Sequence, residues 1–168
     1  AVQCCAISPD GRWAASGSSD QTVVVWDVEA GVAVRVLAGH DAAVNACAFS
    51  PDGALIASAG ADRTLRLWDR ASGEQRAVLH RHRHILTSCV FTPDGRAVVC
   101  GAADGAVAVI DVDSSAATQI LSNHTDWVND CAVSADGRLI ISGSSDGSAK
   151  IWDATVAPVA ERARVHSD

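Results

Sequence analysis

Gly143-Ser144-Ser145-Asp146-Gly147 has the form G-x-S-x-G, a spacing that can lift a serine nucleophile onto a tight turn. That chemistry needs a strand-to-helix turn under the serine and a histidine base beside it. The flanking residues read as strand, turn and strand, so no hydrolase is expected there. His80-Arg81-His82-Arg83-His84 sets three imidazoles at alternate positions. Alternate residues of an extended segment share a face, and imidazole suits Zn, Cu or Ni. Two interleaved arginines oppose a cation, and the simpler account gives His82 a structural post with His80 and His84 in solvent. No metal is assigned. Arg63, Arg66, Arg70, Arg76, Arg81 and Arg83 are six of the 13 basic residues and would suit a phosphate or an acidic tail if gathered together. They spread over a turn, a strand and a loop, which reads as an ordinary charged face. No Walker loop, dinucleotide fingerprint, zinc-binding cysteine–histidine spacing or paired-carboxylate motif occurs, and no cofactor is expected.

The formal charge of −7 argues against general nucleic-acid binding, which depends on Lys and Arg neutralising phosphates. No apolar run approaches the roughly 18 residues of a membrane span. The chain opens at Ala1 and contains no methionine, which reads as a piece of a longer polypeptide or a processed one. Six cysteines occur, and Cys5, Cys47, Cys89 and Cys131 keep one spacing. A small soft hydrophobe in a repeated slot reads as core packing by reduced thiols. Without a secretory leader, this points to an intracellular, cytoplasmic setting.

The elements that position these residues follow from internal repetition. Segments 1–42, 43–84, 85–126 and 127–168 align without a gap. A turn recurs as Ser8-Pro9-Asp10-Gly11, Ser50-Pro51-Asp52-Gly53, Thr92-Pro93-Asp94-Gly95 and Ser134-Ala135-Asp136-Gly137. A second aspartate recurs at Asp20, Asp62, Asp104 and Asp146, and a histidine at His40, His82, His124 and His166. Trp26-Asp27, Trp68-Asp69, Ile110-Asp111 and Trp152-Asp153 mark a third slot. Three Asp slots in four units hold 12 of the 20 acidic residues, so the negative charge is mostly architectural.

Within the second unit, Val44–Phe49, Leu55–Ser58, Thr64–Trp68 and Arg76–Leu79 read as strands separated by turns. The strands alternate poorly, as expected of sheets covered on both faces. Four strands per unit, an early Gly-His and a late Trp-Asp resemble the blades of WD-repeat β-propellers over the whole chain. The resemblance implies an all-β fold: one propeller domain over 1–168, with one four-stranded antiparallel blade per segment.

It also implies a buried hydrogen-bonded set in each blade, made by a loop His, a second-strand Ser, a turn Asp and a third-strand Trp. The residues are His40, Ser58, Asp62 and Trp68 in the second unit and His124, Ser142, Asp146 and Trp152 in the fourth. A buried carboxylate and a buried indole N–H both need partners, which is the physical reason for such a set. The third unit has His82 and Asp104 but Cys100 and Ile110 in place of Ser and Trp. The first has Ser16, Asp20 and Trp26 and no histidine, whereas His166 has no later unit to serve. This complementarity, with few blades for the family, points to an incomplete ring or half of a larger propeller. The ring would be completed by further chain or by self-association.

The resemblance further implies a non-catalytic scaffold that binds proteins or peptides on the propeller rim. Rim positions at the first strand and before the turn Asp are Ala1, Gln3 and Ser19; Ala43, Asn45 and Ala61; Ile85, Thr87 and Ala103; and Trp127, Asn129 and Ser145. Asn45, Thr87 and Asn129 suit a peptide backbone. Ile85 and Trp127 replace alanine in their slot, and Trp127 reads equally as a partner anchor or as a plug against its neighbouring blade. Alternative readings are a sensor or autoinhibitory segment of a larger signalling enzyme, such as a nucleotide-binding switch protein or kinase, and a structural part of a ciliary, cytoskeletal or coat-like complex.

Overall fold

Strand-forming Val, Ile, Leu and Ala runs, cut by turns that demand particular backbone angles, produce four similar sheets. A computed structural model describes residues 1–154 and the backbone of residues 162–165. Blade 1 comprises β1 (Val2–Ile7), β2 (Trp13–Ser18), β3 (Thr22–Asp27) and β4 (Val32–Ala38). Blade 2 comprises β5 (Val44–Phe49), β6 (Leu55–Gly60), β7 (Thr64–Asp69) and β8 (Gln75–Arg81). Blade 3 comprises β9 (Leu86–Phe91), β10 (Ala97–Ala102), β11 (Ala106–Asp111) and β12 (Ala117–Ser122). Blade 4 comprises β13 (Val128–Val133), β14 (Leu139–Ser144), β15 (Ser148–Asp153) and β16 (Arg162–Val165). Each sheet is an antiparallel meander in chain order.

The turn between the first two strands is built identically in all four blades. In blade 2 the Gly53 N–H donates to the Ser50 carbonyl at 2.8 Å, and Gly53 takes a φ of 70°. The Ser50 hydroxyl donates to Asp52 Oδ1 at 2.5 Å, and that oxygen also accepts the Ala54 N–H. Ala135 stands where the other units have proline, yet the Gly137 N–H still reaches the Ser134 carbonyl at 2.8 Å. The next turn ends on a left-handed residue as well: Gln21 (φ 76°), Arg63 (φ 68°), Gly105 (φ 83°) and Gly147 (φ 81°).

The cores lie between blades. Ala15, Val23, Val25 and Leu37 of blade 1 meet Val44, Cys47, Phe49, Ile56 and Trp68 of blade 2. Leu65, Leu67 and Leu79, on the other face of blade 2, meet Leu86, Val98 and Ile110 of blade 3. Val99, Val107 and Val109 meet Val128, Ile140 and Trp152 across the last seam. Residues of β7 therefore alternate in direction while all are buried, which is why its sequence shows no polar face.

Among the described residues the four sheets do not close into a ring. Cys5, Ile7, Trp26 and Val36 on one face of blade 1 are exposed, as are Leu139, Ile141 and Ile151 on the opposite face of blade 4. Cys5 thus differs from Cys47 and Cys131, which fill the same slot and are buried. The cause is the missing neighbour, because that slot always points at the preceding blade.

Candidate functional site

Two polar centres recur through the fold: a buried network inside the blades and a row of loops where the first strands begin. In blade 2 the network runs without a break. The Trp68 Nε1–H donates to Ser58 Oγ at 2.8 Å, and Ser58 Oγ lies 2.7 Å from His40 Nε2. His40 Nδ1 lies 2.8 Å from Asp62 Oδ2. A neutral imidazole with its proton on Nδ1 satisfies every member: serine gives its hydrogen to Nε2 and aspartate accepts from Nδ1. Burial pushes the His40 pKa down, outweighing the neighbouring carboxylate. Burial pushes Asp62 up, but N–H donors of Asp41 and Thr64, the Thr64 hydroxyl and His40 together hold it at about 2.

Blade 4 repeats the arrangement. Trp152 Nε1–H donates to Ser142 at 2.9 Å, Ser142 lies 2.8 Å from His124 Nε2, and His124 Nδ1 lies 2.9 Å from Asp146. Against the desolvation that raises it, Asp146 is held well below the ordinary carboxylate range by the Ser148 hydroxyl, the Thr125 N–H and His124.

Blades 1 and 3 carry fragments. Trp26 donates to Ser16 at 2.9 Å, and Asp20 accepts the Thr22 hydroxyl at 2.6 Å, with nothing joining the two pairs among the described residues. Trp26 is 38% exposed where Trp68 is 1% exposed. In blade 3, His82 Nδ1 stands 3.9 Å from Asp104 and accepts the His84 N–H at 3.2 Å. Cys100 and Ile110 fill the space of Ser and Trp, and burial lifts the Cys100 thiol to about 12. His166 lies outside the described residues.

Ser58, His40 and Asp62 have the distances of a nucleophilic triad, but not its access. Ser58 is 0% exposed and its oxygen already accepts the indole N–H, so no substrate carbonyl can approach it. Ser145, central in the G-x-S-x-G segment, lies in the β14–β15 turn and donates to Asn129 Oδ1 at 3.0 Å. The His80 and His82 rings are tilted 57° to each other with centroids 5.6 Å apart. Among the described residues no group of three His, Cys, Asp or Glu side chains could hold a metal ion.

Some members of the network escaped sequence reasoning. Thr64 and Ser148 each give a hydroxyl to the network aspartate, at 2.8 and 2.6 Å. Their recurrence two residues after the Asp, with Thr22 in blade 1, was a usable signal; blade 3 has Ala106 there. Arg66 is buried, with Nε on Thr64 at 3.0 Å, Nη1 on Gln75 at 2.7 Å and Nη2 on Asp62 at 3.3 Å. The other arginines of that stretch go different ways. Arg70 donates to the Gly53 carbonyl and lies 4.6 Å from the Trp13 ring, Arg76 pairs with Asp69, and Arg63 reaches the Arg83 carbonyl.

The second centre, the rim, is assembled by main-chain bonds. Ser19, Ala61, Ala103 and Ser145 each donate an N–H to the residue that opens its blade: Ala1, Ala43, Ile85 and Trp127, at 2.8 to 2.9 Å. Gln3 donates to Ser19 at 2.6 Å. Asn45 instead crosses a seam and donates to the Leu86 carbonyl of blade 3 at 2.9 Å. Thr87 likewise donates to the Val128 carbonyl of blade 4. Trp127 is 47% exposed, and Asn129 is exposed beside it.

A sequence model of the WD domain, G-beta repeat, matches residues 1–27, 31–69, 73–111 and 116–153. The chain belongs to the WD40 repeat family. Each match ends on the aspartate that closes the third strand, and the second, third and fourth matches each run from one fourth strand to the next third strand. WD40 repeats typically mediate protein–protein interaction and are generally non-catalytic. Comparison with curated proteins returns no match. Among the described residues no helix is long and apolar enough to cross a membrane.

Proposed function

We propose that this WD40 chain is a non-catalytic docking platform that holds a protein or peptide on the rim where its first strands begin. The observation that carries this reading is the fourfold pairing of first-strand openings with second-turn residues. It gives a row of like-spaced positions whose side-chain chemistry differs from blade to blade: Ala1 with Ser19, Ala43 with Ala61, Ile85 with Ala103, Trp127 with Ser145. Half of Trp127 faces solvent, which favours the anchor reading over the plug. Gln3, Asn129 and Ser145 are exposed polar residues suited to a peptide backbone, while Asn45 and Thr87 spend a donor each on the adjoining blade.

The same reading has the uncovered faces of blades 1 and 4 met by further blades of the same kind, from continuing chain or a second copy.

The test is a hydrogen-exchange footprint of a peptide selected from a random library against the chain. Protection is expected at the starts of β9 and β13 and at the turns holding Ala103 and Ser145. Protection confined to the outer strands β4, β8 and β12 would overturn the proposal.

A further inference from the structure

The seam between blades 1 and 2 carries a pair of thiols that the scaffold reading does not use. Cys4 leaves β1 on the side facing blade 2, and Cys47 leaves β5 on the side facing blade 1. Their sulfurs are 3.5 Å apart. Cys4 is half-buried, so a small molecule can reach it, whereas Cys47 is buried. Gly17, which pairs with Cys4 across the sheet, makes room for the thiol. A Cβ there would sit 2.6 Å from the Cys4 sulfur and 2.7 Å from Val44 Cγ1.

The repeats supply an internal control. The residues equivalent to Cys4 and Cys47 are Ala46 and Cys89 at the second seam, and Ser88 and Cys131 at the third. Packing is therefore met by alanine or serine in the Cys4 slot, and of these three equivalent pairs only the first sets a thiol of one blade against a thiol of the next; at the second seam Cys89 and Cys100 stand side by side within one sheet.

We propose that Cys4 and Cys47 form an oxidisable dithiol, a modification site at which a hydroperoxide such as hydrogen peroxide generates a disulfide locking blade 1 to blade 2. The Cys4 thiol gives up its proton and the thiolate attacks one peroxide oxygen; the S–O bond forms, the O–O bond breaks, and the hydroxide that leaves takes up the proton Cys4 released, giving the first water. The Cys47 sulfur then attacks Cys4 Sγ; the S–S bond forms, the S–O bond breaks, and the Cys47 proton leaves with the oxygen as water. Two thiols are oxidised, one peroxide is reduced, and two waters result. The hydrogen bond between the sulfurs lowers the pKa of Cys4 and raises that of Cys47, which assigns the nucleophile to the accessible partner. Closing the bond needs the sulfurs to approach from 3.5 Å to about 2.05 Å.

The test treats the whole chain with hydrogen peroxide at neutral pH, alkylates free thiols and digests without reduction. Mass spectrometry should find peptide 1–12 joined to peptide 36–63 with two hydrogens lost and fragment ions placing the link on Cys4. The Cys5→Ser variant should keep the link and Cys4→Ser should abolish it. Serine already fills that slot at Ser88, and an unchanged urea midpoint for reduced Cys4→Ser would show that its fold is intact. A link through Cys5, or Cys4 recovered as sulfinic acid with Cys47 free, would overturn the proposal.

Discussion

Ser58 Oγ lies 2.7 Å from His40 Nε2 in a place wholly closed to solvent. The two come from either side of the strand β5 and join only because the loop before that strand folds down over its own blade. Their bond serves the interior of the sheet, and its value is best measured as stability.

Ser58→Ala strands two buried groups, the Trp68 N–H and His40 Nε2. Each unpartnered buried polar group costs roughly 1–3 kcal/mol, so a loss of about 3 kcal/mol is expected from urea denaturation. Ser16→Ala, whose indole partner Trp26 is partly in water, should cost under about 1 kcal/mol. Equal costs would contradict the role of burial.

Acid should weaken the fold in two windows. The His40 pKa is lowered on folding, so the unfolded chain binds the proton first. The stabilisation it gives is complete above the ordinary value of 6.5 and declines as pH falls from there toward the folded value. Asp62 is lowered from 3.8 to about 2, so its contribution is full above 3.8 and is lost as pH drops through about 2. Urea midpoints between pH 8 and pH 5 should fall for the native chain and fall less for His40→Gln.

Gln21 holds a left-handed backbone where blades 3 and 4 use Gly105 and Gly147. The left-handed conformation costs a non-glycine residue about 1–2 kcal/mol, against about 0.5–1 kcal/mol of extra chain entropy for glycine. Gln21→Gly should therefore raise stability by about 0.5 kcal/mol, read as a higher urea midpoint; a fall would show that the side chain matters more than the turn.

Trp127→Ala should leave the urea midpoint nearly unchanged, because half the ring is already in water. Its effect should appear in calorimetric titration of a rim-binding peptide, as a loss of at least about 2 kcal/mol, the size typical of an aromatic anchor. Unchanged affinity would remove Trp127 from the docking surface.

The isolated 168-residue chain exposes Ile7 and Val36 on one open face and Leu139, Ile141 and Ile151 on the other. Contiguous apolar surface of this kind associates. Light scattering should give a mass that rises with concentration, and a constant monomer mass would count against further blades meeting those faces.

Much of this was legible because the unit repeats. In blade 2, Val44–Phe49 coincides with β5, and the Thr64–Trp68 and Arg76–Leu79 readings fall one to three residues short of β7 and β8. His40, Ser58, Asp62 and Trp68 meet because hydrogen-bonding need and spacing agree in one blade. What stayed hidden depends on which way a residue faces across a seam. Arg66 read as surface charge, since linear position does not reveal that it turns toward the preceding blade and a buried carboxylate. Cys5 read as core, since a slot buried in blades 2 and 4 and half-buried in blade 3 is open in the blade without a predecessor. Cys4 and Cys47 belong to different slots of the unit, so no repeat pattern aligns them.

Asn45 and Thr87 grip the carbonyls of Leu86 and Val128, atoms that every amino acid supplies. Such a joint is indifferent to the neighbour's identity. A gene segment encoding the second or third unit can thus be copied or exchanged in phase, and the new junction inherits the clasp that unit carries.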